Sequence, residues 1–120
     1  MGPLLRAVNS VADAIRTEFP HVAIDTLAYD YSLPPPNLTV PRPNVIVRLC
    51  SIGANFGVPM TDPSNAVFQR DMEGWAAIST RTYVWDYTVN FGACEWHYPS
   101  SRHQYDNVDQ EFRACTCMYV

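Results

Sequence analysis

The chain has few basic residues and no long apolar run, and these two absences exclude broad classes of function. Its 120 residues include only 8 Lys+Arg against 12 Asp+Glu, which gives a formal net charge of -4. Because no basic stripe is present, we expect no nucleic-acid partner. No apolar run reaches the roughly 18 residues that a membrane span needs, so we expect no membrane partner either.

Signals for export and lipidation are also missing from the first residues. The opening Met1-Gly2-Pro3-Leu4-Leu5-Arg6 lacks the basic region and the long apolar stretch of a signal peptide. Arg6 stands where an N-myristoylation pattern requires Ser or Thr. The sequence therefore leaves the localisation unknown.

Several motifs of enzymatic chemistry are absent as well. The chain has no Gly-x-Ser-x-Gly elbow, no phosphate-binding Gly-rich loop and no Cys-x-x-Cys pair. Metal-ligating side chains occur near the C-terminus, but their spacing fits no tight zinc pattern: Cys94, His97, His103, Cys115 and Cys117. We therefore expect no metal and no other cofactor. Cys50 lies in an apolar segment and is expected to be an ordinary buried thiol.

Three segments rich in β-branched and aromatic residues are present, at roughly 21–29, 44–52 and 82–89. They are apolar on both faces, which is typical of parallel strands that are covered on both sides. Apolar residues make up 48% of the chain, enough for the core of one domain. Polar or aromatic residues stand at the C-terminal end of each segment, and that end of a parallel strand is where α/β proteins bind ligands.

Two amphipathic helices are predicted. The first covers residues 3–19, with an apolar stripe on one side and a polar side formed by Arg6, Asn9, Asp13, Arg16 and Glu18. The second covers about residues 65–80, with Ser64 or Asn65 as its cap and Gly74 as a weak point. Between the first two strands, residues 30–43 contain five prolines, which forbid a helix. We expect an extended connector there, in place of a crossover helix, that forms a specialised loop over the strand ends.

Three separated motifs carry a resemblance to a known family, at residues 24–29, 41–52 and 83–91. In this order they resemble a large uncharacterised family of glycoside-hydrolase-like proteins that is frequent in polysaccharide-degrading bacteria. The resemblance covers about residues 2–92. It implies a (β/α)8 barrel similar to those of α-glucuronidases and β-N-acetylhexosaminidases.

The expected fold is α/β, a partial TIM-type barrel of roughly three parallel strands and two helices over residues 1–92. Residues 93–120 match the family poorly and are expected to form a divergent segment with no assigned element. The family pattern includes upstream strands, one of which supplies an acidic catalytic residue in related hydrolases. We therefore expect an incomplete barrel whose open sheet edges allow self-association.

Asp86, at the end of the third segment, is the catalytic candidate. Glycoside hydrolysis needs two carboxylates, about 5–5.5 Å apart for retention or about 6.5–9.5 Å apart for inversion. Asp86 could serve as one of them or bind a sugar hydroxyl. The alternative is a purely structural role as a helix cap or an ion-pair partner.

Six further residues are candidates for substrate binding: Trp85, Tyr87, Asn90, Tyr29, Arg48 and Ser51. Trp85 and Tyr87 share one face of their strand and are expected to offer rings for a sugar to stack on, unless they only pack under a helix. Arg48 lies inside an apolar strand and needs a partner. It is either an anion clamp for a uronate carboxylate or one half of an internal ion pair with Asp25 or Asp86.

The resemblance implies a fragment of a carbohydrate-active enzyme with a poly- or oligosaccharide substrate, inactive alone. Two alternatives stay open. One is a non-catalytic carbohydrate-binding or assembly module, and the other is a truncated gene product without its own function. Members of the family are often exported.

Overall fold

The computed structural model describes residues 1–85 and Tyr87, and within them it contains two α-helices and three strands. Their order along the chain is α1 (Gly2–Arg16), β1 (Ile24–Ala28), β2 (Val45–Cys50), α2 (Ala66–Ile78) and β3 (Thr82–Trp85). Two 3-10 turns, Asp30–Ser32 and Pro63–Asn65, follow β1 and precede α2. The type and order of these elements agree with the sequence prediction, and the boundaries differ by a few residues.

The three strands form one parallel sheet in the order β1-β2-β3. Ile24 lies opposite Val45 and Ala28 opposite Leu49, while Cys50 lies opposite Trp85 on the other side of β2. The predicted parallel pairing is therefore confirmed. Over the described residues the sheet is open, so its closure into a barrel stays a prediction.

Both helices pack on the same face of the sheet. The side chains of Val45, Val47 and Leu49 alternate along β2 toward that face and are fully buried. They join one core cluster with residues from both helices, among them Leu5, Ala12, Phe68, Met72 and Trp75. Burial of these side chains supplies the main driving force for folding, at about 1.5–3 kcal/mol for each large apolar side chain.

The sequence predicts cover on the opposite face of the sheet as well, and for that face it stays a prediction. Within the described residues no helix packs on it, and Leu27 and Trp85 are 48% and 38% exposed. We call this surface the open face. It carries the side chains of Asp25, Leu27, Tyr29, Ile46, Arg48, Cys50, Tyr83 and Trp85, with Tyr87 following β3.

The proline-rich connector between β1 and β2 lies mainly in the helical layer and not over the strand ends as predicted. The indole Nε1 of Trp75 donates a hydrogen bond to the carbonyl of Leu33 at 2.6 Å. Asn9 binds the connector twice, since its Nδ2 donates to the Val40 carbonyl at 2.8 Å and its Oδ1 accepts from the Arg42 N–H at 3.0 Å. An extended chain thus occupies the layer where a crossover helix usually lies.

Asn9 was predicted on the solvent side of α1, but its side chain is only 8% exposed. The side-chain amide of Asn9 has one donor and one acceptor for the backbone of the connector, which does not belong to the sheet at Val40 and Arg42. Conversely, the apolar residue Val11 is exposed, and Phe19, within the predicted range of 3–19, lies beyond the end of the helix at Arg16. Asp13, also predicted as solvent-facing, forms an exposed ion pair with Arg42.

Asn65 is the N-cap residue of α2, one of the two positions that the sequence predicts, but its side chain makes no capping hydrogen bond. Its Oδ1 accepts from the Asn55 N–H at 2.7 Å, and its Nδ2 donates to the carbonyls of Asn55 and Pro59 at 3.2 and 3.1 Å. The side chain is buried, so it holds the loop after β2 against the start of α2.

Replacement of Asn9 by Ala should destabilise the protein by about 2 kcal/mol, because the buried Asn9 side chain makes two hydrogen bonds to the backbone of the connector that Ala cannot make. Urea denaturation followed by circular dichroism measures this change. The matched control is Ser10→Ala on the exposed side of the same helix, which should stay within about 0.5 kcal/mol of the unsubstituted protein. Equal effects of the two substitutions would mean that the Asn9 contacts do not stabilise the fold.

Gly74 is required by the close approach of the connector to α2. A Cβ at this position would lie 2.6 Å from Cγ of Pro35, well inside contact distance. Helix propensity alone favours Ala over Gly by about 1 kcal/mol. The two effects oppose each other, and the clash with a proline ring is the larger one because overpacking typically costs about 1–3 kcal/mol.

Gly74→Ala should therefore destabilise the protein, although Ala is the better helix former. Pro35→Ala removes the clashing Cγ, so Gly74→Ala should become stabilising by up to about 1 kcal/mol in the Pro35→Ala background. A double-mutant cycle by thermal or urea denaturation tests this reversal of sign. Stabilisation by Gly74→Ala in both backgrounds would show that the connector does not press on α2.

Candidate functional site

The carboxyl ends of the three parallel strands bring aromatic and polar residues to one edge of the sheet. At the end of β1, the Tyr29 N–H donates to Oγ of Ser32 at 3.0 Å, and the Ser32 hydroxyl donates to the Tyr29 carbonyl at 2.8 Å. Between them Asp30 adopts a left-handed backbone with φ of 51°, a conformation that Asp tolerates better than most residues. The buried Ser32 thus fixes a sharp turn that leaves Tyr29 and Tyr31 exposed.

Arg48 lies at the centre of the open face and links its neighbours on both sides. Its Nη2 donates to Oδ2 of Asp25 on β1. Toward β3, the guanidinium carbon lies 5.4 Å from the centroid of the Trp85 ring, a cation–π distance. The Nε atom is buried and has no hydrogen-bond partner among the described residues. One guanidinium therefore connects a carboxylate and an indole across three strands.

Tyr87 and Cys50 continue the cluster toward the carboxyl edge. A side-chain hydrogen bond joins the two residues. Burial raises the pKa of the Cys50 thiol above its ordinary value of 9.0, so this thiol is held neutral and has little thiolate character. Loss of solvent also raises the pKa of the Tyr87 hydroxyl, with smaller contributions from the neighbouring Cys50 and Tyr29. Cys50 is buried, as the sequence predicted.

Ser51 lies on the helical side of the sheet and away from this cluster. It is fully buried, and both its hydroxyl and its N–H donate to the Trp85 carbonyl at 3.1 Å. These two bonds tie the ends of β2 and β3 together, so the contacts observed for Ser51 serve the sheet. Asp86 and Asn90 lie outside the described residues.

Of the predicted substrate-binding residues, the structure brings Tyr29, Arg48, Trp85 and Tyr87 onto the open face. The sequence predicts Asp25 as one possible partner for Arg48, which the ion pair confirms, but not as a member of the site. The signal was the two-residue period of β1, which places Asp25, Leu27 and Tyr29 on one face. Within the described residues no group of three or more His, Cys, Asp or Glu is arranged to hold a metal ion.

The stability of the protein should fall as the pH rises above about 9, because the raised pKa values of Cys50 and Tyr87 favour folding only while both groups are neutral. That contribution is fully present below the unfolded pKa values and is lost as the pH passes through the raised folded values. Urea denaturation from pH 7 to 10.5 measures the slope. Cys50→Ala should make the slope shallower, and an unchanged slope would contradict the assignment.

A comparison with protein families identifies the chain. A family model described as Domain of unknown function (DUF4838) matches residues 1–119. The chain belongs to the DUF4838 family. The match extends through residues 93–119, beyond the part on which the resemblance was based, and a domain boundary at residue 92 stays a prediction. The description of the DUF4838 family assigns no activity.

No curated protein and no solved structure matches the chain. Among the described residues, no helix combines the length and the apolar character needed to cross a membrane.

Proposed function

We propose that this DUF4838 chain binds carbohydrate at the carboxyl half of the open face, as part of a glycoside-hydrolase-like barrel. The observation that carries the proposal is the grouping of Tyr29 and Trp85 around the Asp25–Arg48 pair. This group lies at the edge of a parallel sheet where α/β folds bind their ligands. Both rings are accessible, since Tyr29 is 42% and Trp85 38% exposed.

The chemistry of this group suits a sugar. Aromatic rings present flat apolar surfaces to the C–H groups of a pyranose, and an Asp–Arg pair offers acceptors and donors to its hydroxyls. Binding sites generally combine such apolar walls with a small number of fixed polar groups. Trp85 is held by Arg48 on one side and still exposes 38% of its surface. The ring is therefore both fixed and accessible.

The arrangement of the elements supports a barrel over a doubly wound fold. The strands follow one another in sequence order, and both helices pack on one face. Doubly wound sheets reverse their strand order and cover both faces, whereas each barrel strand has helices outside and side chains inside. In that setting the open face would be directed toward the barrel interior.

Hydrolysis has less support than binding among the described residues. Asp25 lies near the start of β1, whereas Asp30 lies in the 3-10 turn that follows the strand, so the two carboxylates do not share one position at its carboxyl end. Oδ2 of Asp25 also accepts a hydrogen bond from Arg48. Asp86 remains the catalytic candidate from the sequence, as the neighbour of Trp85. A non-catalytic carbohydrate-binding module is therefore the second candidate function.

Trp85→Ala should weaken carbohydrate binding at least tenfold, because stacking on an aromatic ring is a large part of the contact in sites of this kind. Native affinity electrophoresis in gels that contain a panel of soluble polysaccharides measures the retardation. The control is Leu38→Ala, another exposed apolar residue, which lies in the connector and should leave retardation unchanged. Equal retardation of all three proteins, or retardation by no polysaccharide, would contradict the proposal.

The same polysaccharides distinguish an enzyme from a binding module. A retarding polysaccharide that the chain also cleaves, with cleavage lost in Asp86→Asn, would assign hydrolysis and a catalytic role for Asp86. Retardation without release of reducing ends would favour the binding module. In either case the retardation depends on Trp85.

A further inference from the structure

We infer that the ligand of this site is an uncharged sugar, whose neighbouring hydroxyls are bound by Asp25 and Arg48 together. The inference rests on the proposed function and specifies its substrate class. It departs from the reading of Arg48 as a clamp for a uronate carboxylate. The reason lies in the charges, the unused hydrogen-bonding groups and the geometry of the pair.

The charge of Arg48 is already compensated. Its guanidinium binds the carboxylate of Asp25, so the pair has no net charge. A uronate would bring a second carboxylate to the same guanidinium, and two like charges that share one partner repel each other. No other cation lies on the strand segments of the open face within the described residues. Arg81 precedes β3 at the opposite edge, about 13 Å from Trp85 along an extended strand.

The pair retains unused donors and an unused acceptor. A guanidinium has five N–H donors, and Arg48 uses one of them on Asp25. Its Nη1 makes no hydrogen bond with the described residues, and Oδ1 of Asp25 accepts none from them. The side chains are 28% and 41% exposed. A donor and an acceptor therefore lie side by side, which matches hydroxyl groups because each of them both donates and accepts.

Trp85 gives the pair a defined position relative to a sugar ring. The guanidinium covers one face of the indole at 5.4 Å, so a pyranose has the opposite face or the exposed edge available. Both contacts of Arg48 restrict its rotamers before a ligand arrives. A preorganised site loses less conformational entropy on binding than a mobile one.

Stability alone does not account for the arrangement. The Nε of Arg48 is buried without a partner among the described residues, and an unpaired buried donor is unfavourable. An exposed ion pair of this kind contributes little to folding in return. A role in ligand binding therefore explains the position of Arg48 better than a role in stabilising the sheet.

The test compares matched methyl glycosides that differ only at C6. The chain, labelled with ¹⁵N, is titrated with methyl glucoside, galactoside and mannoside and with the three corresponding methyl uronides at neutral pH. The neutral glycosides should shift the amide signals of Asp25, Arg48 and Trp85. At least one should bind about threefold or more tighter than its uronide, with little change in roughly 0.5 M sodium chloride.

Tighter binding of the uronides, with an affinity that falls as salt is added, would overturn the inference and leave the proposed function intact. If none of the six glycosides shifts these signals, and the polysaccharide panel also gives no retardation, the proposed function fails. Retardation by neutral polysaccharides alone would support the inference through longer ligands. Retardation by uronate-containing polysaccharides alone would overturn it.

Asp25→Asn provides a second measurement on the same pair. The substitution keeps the shape of the side chain and removes its charge, so Arg48 becomes an uncompensated cation. Preference should then shift by about tenfold toward the uronides. Asp13→Asn is the matched control, since it removes a carboxylate from the exposed ion pair with Arg42 on α1. An unchanged preference in Asp25→Asn would contradict the inference. If a variant fails to fold, the titration of the unsubstituted chain with the six glycosides still tests the inference.

Discussion

The crossover between β1 and β2 is the constraint on which the rest of the structure depends. Parallel neighbours require the chain to return along the full length of the sheet, and a helix usually covers this distance while satisfying its own backbone. The prolines of the connector exclude that solution. The connector is therefore extended, and its backbone groups that lie against the helices need partners from other parts of the chain. Asn9 of α1 and Trp75 of α2 supply those groups, so the two helices are fixed in place by the chain that lies between them.

This solution makes the sheet one-sided. The connector and both helices all contact the face that carries Val45, Val47 and Leu49, and the other face receives no described helix. The side chains of β2 alternate between the two faces of the sheet. Val45, Val47 and Leu49 join the apolar core, whereas Arg48 and Cys50 belong to the open face. The site candidates lie together on the second side as a direct result of strand register. Leu27 and Tyr83 lie opposite Arg48, and Trp85 lies opposite Cys50.

Much of the fold could be predicted from the sequence, and the failures have identifiable causes. Periodicity predicts the helices and strands, and the proline cluster predicts an extended connector. Asn9 was assigned to solvent because a polar residue on a helix usually faces water, and its role depends on a segment 31 residues away. Apolar character on both sides of a strand also does not show what covers the second side. Leu27 lies in a segment that is predicted to be covered on both sides, and it is 48% exposed.

The sequence predicts most residues of the candidate site, but it does not predict how they are arranged in space. Arg48, Trp85 and Tyr87 stand out in the sequence, but only the register shows that Arg48 lies between Asp25 and Trp85. Of the partners that the sequence offers for Arg48, the structure shows Asp25, so the arginine is half of a neutral pair. The fully buried residues on the helical side supply most of the stability. The protein can therefore fold although Nε of Arg48 has no hydrogen-bond partner among the described residues and the Trp85 ring is exposed. Changes at Val45, Val47 and Leu49 therefore act on folding, whereas changes at Arg48 and Trp85 act on the open face, where we propose the binding site.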